Sequence, residues 1–354
     1  DKLEKLGGME HLDIQVWQAN ELSFERSEFN RLVDKTDLFV LQAPGCEMSA
    51  VLIDLYKSKN KRVVVEYDDY SFDLSPSNPK YVELGTKELE IVDDKNQPIH
   101  KFRHGERKFD MALNQAKYES FIYAITHADL ITTTTDYLAE TFRKVGAKKV
   151  AVYPNTIDFE LYRPIRRLAP KDEIRIGWFG GDSHHKDLEV FANLFPFLLK
   201  KYPNIKIVVL GPMVPFWMPI FKDIDPKRLE WHDWSDLALY PLVLASMDWD
   251  IGLCPLEYNE FNKCKSSLKQ FEFGALKVPV IAQNMLPYSK TISHGVNGFL
   301  AGKLDDWINY SSLLIEHEEL RKRIGEEGYQ NIHTNWNMEK WCKELGGIYE
   351  KVLI

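Results

Sequence analysis

The chain has 354 residues, of which 44% are hydrophobic and 28% charged, with 45 Lys and Arg against 53 Asp and Glu for a formal net charge of −8. This is globular composition without low-complexity tracts, and the length exceeds the ~250–300 residues at which single cores stop growing, so two domains are expected. The acidic balance disfavours a general nucleic-acid coat or an anionic membrane surface as the main partner, though it leaves room for a local basic cleft.

The charge is uneven. Residues 1–160 hold 21 Lys and Arg against 28 Asp and Glu, and the remainder 24 against 25, so anions are bound more easily by the later half. Cys46, Cys254, Cys264 and Cys342 are widely spaced, with no metal-ligand spacing, which reads as free thiols in a reducing, cytoplasmic setting. No apolar run reaches the ~18–20 residues of a membrane span, and no signal peptide is visible.

In chain order, residues 12–17, 37–42 and 62–67 read as strands, with a helix over 48–58. Residues 70–105 are polar and proline-bearing, as a functional loop or excursion would be. Helix periodicity resumes over 106–128. A strand over 129–133, a helix over 137–145 capped by Asp136 and stopped by Gly146, and a strand over 150–153 follow. Three prolines between 154 and 172 mark a boundary. The alternation then restarts, with strands at 174–179, 205–210, 229–231, 249–253, 278–282 and 298–301. Helices are predicted at 188–201, 237–246, 266–276, 305–315 and 318–329, and a final amphipathic helix at 337–352. Such alternation argues for parallel α/β sheets covered on both faces, in two Rossmann-like domains facing each other across an interdomain cleft. The expected division is 1–158, a linker 159–172, 173–335, and a helix 336–354 packing back on the first domain.

Ligands of open α/β sheets bind at the carboxyl ends of strands. One such place is Phe179-Gly-Gly-Asp-Ser-His-His-Lys186. Gly180 and Gly181 let a ligand approach the backbone, free amides attract anions, and His185 and Lys186 add polar reach. The same residues also suit a tight turn with a solvated lysine. The stretch Lys265-Ser-Ser-Leu-Lys-Gln-Phe-Glu-Phe-Gly-Ala-Leu-Lys-Val-Pro-Val-Ile281 is the most informative. At helical period Lys265, Lys269 and Glu272 share one face, while Leu268, Phe271, Ala275 and Leu276 face a core. Cations at a helix start, with Ser266 and Ser267 offering amides, suit a diphosphate. A carboxylate two turns in suits the vicinal hydroxyls of a ribose. The bland counterpart is an amphipathic helix with a solvated charge face.

Residues 255–264 are either a sugar-reading loop or ordinary surface. Asp68 and Asp69, after a buried strand, are placed to orient an acceptor, act as a base or hold a metal, or else to form a turn. His127 reads as a structural cap and Cys254 as core. The apolar run 216–221 is a partner or membrane contact, or a buried short helix.

Four segments in this order resemble glycosyltransferase family 4 and its GT-B relatives. They are Asp129-Leu-Ile-Thr-Thr-Thr-Thr-Asp-Tyr-Leu138, Tyr153-Pro-Asn-Thr-Ile-Asp-Phe-Glu-Leu-Tyr162, Phe271 through Ile281, and His294-Gly-Val-Asn-Gly-Phe-Leu300. Of the family's paired glutamates, Glu272 matches the second, but Cys264 stands at the first. Lys277 replaces the usual glycine of the turn after the helix. The first strand and its glycine-rich loop have no counterpart before Leu12, so the natural start is expected upstream of Asp1.

The resemblance implies a GT-B fold and a retaining, metal-independent hexosyltransferase-like enzyme. Its co-substrate is a nucleoside-diphosphate sugar, with UDP or GDP as the nucleotide, and it needs no resident cofactor. Lys186 and Lys265 would act on the leaving diphosphate, with Asp68 and Asp69 near the acceptor. Gly180, Gly181, His185, Ser266, Ser267, Lys269 and Glu272 would bind the donor. The acceptor (glycan, protein, lipid or nucleic acid) is not named by any motif. Peripheral membrane contact is compatible with this reading, and nucleic acid is disfavoured as a partner. The rivals are a nucleotide-sugar epimerase of the same shape and a catalytically silent GT-B binding or assembly module.

Overall fold

The structure is a computed structural model that describes residue 13 and residues 26–72, 74–76, 78–92, 98–106, 108–164, 173–181, 184, 186–214 and 217–354. The predicted strand at 12–17, apart from residue 13, lies outside the described residues, as do His185 and residues 165–172 of the predicted linker. The chain forms two compact units. The first comprises Asp1–Leu74, Lys80–Pro154 and Glu339–Ile354, and the second Ser75–Pro79 and Asn155–Met338.

The first unit is built on a parallel sheet. Its strands β1 (Leu38–Gln42) and β2 (Arg62–Tyr67) are followed in the sheet order by β5 (Leu130–Thr133) and β6 (Val150–Val152). Val63, Val64 and Val65 are fully buried, as a continuous β-branched run in a two-sided sheet requires. Between β2 and β5 the chain is less open than its polarity suggests. A short helix Tyr81–Leu84 and an antiparallel hairpin of β3 (Leu89–Val92) and β4 (Pro98–Phe102) occupy the stretch expected as a loop. Tyr81, Phe102 and Phe109 form a small core there. The helix Asp136–Val145 is capped by Thr135, whose Oγ1 accepts the Leu138 N–H at 3.1 Å, and not by Asp136 as expected. Gly146, at φ 118°, closes it in the left-handed conformation. The last helix, Met338–Leu353, brings Cys342 and Leu345 into burial, and its Trp341 meets Tyr153 edge-on at 6.3 Å.

The second unit is a six-stranded parallel sheet. It comprises β7 (Ile174–Phe179), β8 (Ile205–Leu210), β9 (Leu229–His232), β10 (Ile251–Cys254), β11 (Val280–Gln283) and β12 (Phe299–Ala301), in the order β12-β11-β10-β7-β8-β9. The chain starts at β7 in the middle, winds one way to β9, then returns through β10 on the other side. This is doubly wound Rossmann topology, and its order reverses between β7 and β10. Two apolar clusters cover its faces. Trp178, Phe191, Phe195, Trp217 and Trp307 belong to one, and Phe179, Trp249 and Phe273 to the other. Trp217 and Phe221 are therefore core and anchor the short helix Met218–Phe221, whose Met218 remains exposed.

An ion network around the buried Arg175 ties the amino ends of this sheet. The Arg175 guanidinium forks onto both Glu230 carboxylate oxygens at 2.8 and 2.6 Å and reaches Glu173 at 3.2 Å. Its backbone N–H donates to Asp250 at 2.7 Å.

The helix that carries the key motif spans Leu268–Ala275 and is buried on nearly every side. Phe273 joins the cluster on one sheet face, while Phe271 and Ala275 pack with Ile157 and Ile332. Fully burying one such phenylalanine contributes about 1.5–3 kcal/mol. The next turn puts Lys277 at φ 59°, a conformation that favours glycine, and sets its carbonyl against Gly325. A Cβ on Gly325 would sit 2.1 Å from the Lys277 oxygen and 3.0 Å from its carbon. Gly325→Ala is therefore expected to cost about 1–3 kcal/mol, read as a lowered midpoint in denaturant with an unchanged slope.

Candidate functional site at the sheet reversal

The carboxyl ends of β7 and β10 flank the reversal, and the charged groups of the second unit gather there. β7 ends in Gly180, whose N–H is already given to the Leu210 carbonyl at 3.1 Å. That amide is not the free donor expected from the sequence. What Gly180 supplies is closeness, because a Cβ there would press on Trp178 at 2.7 Å and His184 at 2.9 Å. Gly181 follows it beside the Trp234 indole.

The turn then delivers His184 and Asp187. The imidazole Nδ1 and the Asp187 carboxylate lie 2.6 Å apart in a largely buried setting. Asp187 also accepts the Glu257 N–H at 2.5 Å and an Asn262 amide hydrogen at 3.3 Å. It thus fastens the β7 turn to the segment leaving β10. The stretch 255–264, expected as a plain loop, ends in a short helix Glu260–Cys264, whose Asn259 cap accepts the Asn262 N–H at 2.7 Å. Burial works against the Asp187 carboxylate, but its bond to His184 and the nearby Lys265 hold its pKa below the usual value. For His184, burial first and then the charges of Lys269 and Lys265 push the pKa down to about 3, so the ring is neutral.

Lys265 terminates the Glu260–Cys264 helix and precedes the next one, so it does not stand on the Leu268–Ala275 helix face as its spacing predicted. Its Nζ lies 4.9 Å from the Phe261 ring centroid. Lys269 does stand on that helix. Its Nζ is buried without a hydrogen-bond partner among the described residues and lies 4.8 Å from the Trp178 ring centroid and 5.6 Å from that of Phe179. Burial lowers its pKa to about 8, against the pull of Cys254 and Asp187. Lys186 turns elsewhere, with its Nζ 3.6 Å from a Glu257 oxygen on the surface. The hydroxyls of Ser266 and Ser267 are held by Asn155 at 2.8 Å and Thr291 at 3.0 Å respectively.

Glu272 is 4% exposed, and its Oε1 accepts the Tyr162 phenol at 2.7 Å. Tyr240 lies close enough to bear on its charge as well. Burial raises the carboxyl pKa to about 7, against the lowering effect of Tyr162, Lys269 and Tyr240. Cys254, at the end of β10, is core: burial lifts its thiol to about 12. Asp68 and Asp69 belong to the first unit, where the Asp68 carbonyl accepts the Thr134 hydroxyl at 3.2 Å. His127 ends its helix, with Nδ1 3.0 Å from the Tyr123 carbonyl, as a structural cap would. Among the described residues no group of three or more His, Cys, Asp or Glu is arranged to hold a metal ion, and no helix is long and apolar enough to cross a membrane.

The structure thus brings Lys265, Lys269 and Glu272 into one charged cluster with His184 and Asp187, each near enough to shift another's protonation. Sequence reasoning missed His184, Asp187, Tyr162 and Tyr240. The i,i+3 spacing of His184 and Asp187 is the one local signal that was available for the first two.

No family model matches the chain. Among curated proteins it is 26% identical over 221 residues to the putative teichuronic acid biosynthesis glycosyltransferase TuaH of Bacillus subtilis, covering 60% of this chain and 53% of TuaH. It is 25% identical over 193 residues to the capsular polysaccharide biosynthesis glycosyltransferase CapM of Staphylococcus aureus, covering 51% of this chain and 47% of CapM. The matches thus span about half the length of these relatives. Among solved structures, sucrose-phosphate synthase from Thermosynechococcus elongatus superposes with a TM-score of 0.65 at 14% identity, over 92% of this chain and 76% of that one. HepE from Anabaena, solved with UDP and glucose, gives 0.63 at 14% identity, over 92% and 80% of the respective chains. The fold is GT-B, with a parallel α/β sheet in each of its two domains.

Proposed function

We propose that the chain is a retaining glycosyltransferase of the family 4 type that takes its sugar from a nucleoside-diphosphate donor, UDP- or GDP-linked, held by the second unit. The observation that carries this reading is the buried, unpartnered Lys269 ammonium beside Lys265 at the reversal of a Rossmann sheet. An ammonium in that setting is costly unless an anion arrives to meet it. The two lysines stabilise the diphosphate as it departs, where charge grows in the transition state, so the reading requires no metal. Lys186 joins them by leaving Glu257, an exposed pair worth little to stability. Glu272 accepts the vicinal hydroxyls of the ribose, for which one of its two phenols gives way. The first unit takes the acceptor, whose hydroxyl Asp68 and Asp69, which follow β2, orient. The glycosyltransferase names of the curated relatives and the UDP-bound fold relatives agree with this reading.

Titration with UDP, GDP, ADP and their sugar conjugates tests it. A ligand that binds only the native state at 100 times its Kd adds about 2.7 kcal/mol, which raises the melting midpoint by about 5–10 °C. One nucleotide class is expected to do this. A flat response to all of them removes the donor site. Isomerisation of the donor sugar without any acceptor would instead select the epimerase.

A further inference from the structure

The His184–Asp187 pair has no place in the clamp described above, yet it sits inside it. Nδ1 faces the Asp187 carboxylate at 2.6 Å, so Nδ1 carries a hydrogen whenever that carboxylate is charged. Asp187 is pinned in turn by the Glu257 N–H and the Asn262 side chain, which fixes the ring's position. Trp178 meets the imidazole edge-on, and Gly180 passes close beside it. That leaves Nε2, which has no partner among the described residues. Lys269 Nζ and the imidazole both lie against the Trp178 ring, 4.8 and 6.0 Å from its centroid. The charged groups bearing on the imidazole are Lys269, Lys265 and Asp187. Burial and the two lysine charges keep the ring neutral, with Nε2 an acceptor that would repel a phosphate oxygen.

We propose that His184 is a proton-linked phosphate-binding residue. When a diphosphate settles against Lys265 and Lys269, the ring takes one proton from solvent at Nε2 and donates it as a hydrogen bond to a phosphate oxygen. This rests on the donor reading given above. The anion cancels the two lysine charges that disfavoured the imidazolium, and Asp187 then stabilises it. The ring becomes a third cation only while the diphosphate is present. The empty site is spared a third like charge, and the loaded site gains a charge-assisted donor at the leaving group.

Calorimetric titration with UDP and with GDP at pH 6, in two buffers of unequal ionisation enthalpy, counts the protons taken up on binding. The choice of pH isolates the histidine. At pH 6 Lys269, with its pKa near 8, is already protonated and takes up nothing. Glu272, near 7, is mostly protonated and is able only to release. The wild type is expected to take up about 0.3 proton or more beyond His184→Asn, whose amide nitrogen takes the place of Nδ1 beside Asp187. Its affinity is expected to exceed that of the variant by about tenfold at pH 6 and by much less at pH 8. His184→Gln serves as a second variant if the first melts early. Equal proton counts in wild type and variant overturn the inference and leave the donor site standing. Failure of both nucleotides to bind the wild type overturns the donor reading, and this inference with it.

Discussion

Lys269→Met is expected to slow transfer by about 10²–10³-fold while leaving the protein at least as stable as the wild type. The first effect is that of removing one preorganised charge from a site where negative charge develops. The second follows from the cost of the ammonium itself. Its pKa falls from 10.5 to about 8 on folding, through burial. A cation with a depressed pKa destabilises the fold wherever it is protonated. Wild-type stability is therefore lowest below pH 8 and rises between about pH 8 and 10.5. The full cost is of order 3 kcal/mol. Methionine fills similar volume between the Trp178 and Phe179 rings without a charge, so the variant loses that alkaline rise and melts higher at pH 7. Release of the nucleotide from its sugar conjugate, and melting curves across pH, check the two halves. A variant with normal turnover would remove Lys269 from the clamp. A variant that melts well below the wild type would show that its ammonium has a stabilising partner.

Glu272→Gln is the counterpart on the ribose side, expected to lower donor affinity and transfer by about 10²-fold. A carboxylate accepts from two vicinal hydroxyls at once, and an amide offers one oxygen for the same task. The carboxyl pKa rises from 4.5 to about 7 on folding, again through burial first. For an acid with a raised pKa the sign is the reverse of the usual carboxylate. Stability falls as pH climbs from about 4.5 to 7 and is level above that. The variant is expected to be flat across this window and more stable than the wild type at pH 8, by up to about 3 kcal/mol. Comparing UDP with its 2′-deoxy analogue isolates the role. The wild type prefers the ribose form and the variant does not. A preference that survives the substitution places the ribose elsewhere.

Both substitutions trade function for stability, and the same physics decided what was legible in the sequence. Strands 62–67, 174–179 and 205–210 fall on their predicted bounds, because each carries a buried apolar run, Val63–Val65, Ile176–Phe179 and Ile207–Leu210, of the kind a two-sided sheet requires. The β3–β4 hairpin was hidden by charges and prolines in a stretch whose small core, Tyr81, Phe102 and Phe109, is assembled from distant positions. Thr135 and Asp136 are both good caps, and only backbone geometry separates them. The cluster at the sheet reversal was half visible. Lys269 and Glu272 keep the i,i+3 relation their spacing announced, whereas Lys265 reaches the cluster from before the helix, because the chain turns at Ser266 and Ser267. Tyr162 and Tyr240 lie 110 and 32 positions from Glu272, and no local pattern joins residues so far apart. His184 lies in the glycine-rich motif, but its burial and its bond to Asp187 are properties of the folded turn that no local pattern announces.

The excursion of the chain through the second unit has a practical corollary. Residues Glu339–Ile354 belong with a body whose other segments end at Pro154, so that body is not one uninterrupted length of polypeptide. A simple cut at the boundary would give an amino-terminal fragment lacking the helix that buries Cys342 and Leu345, and would burden the other fragment with an amphipathic tail stripped of its cover. Dissecting the protein therefore calls for splicing that helix directly onto the first body, with Asn155–Met338 expressed as the inserted segment.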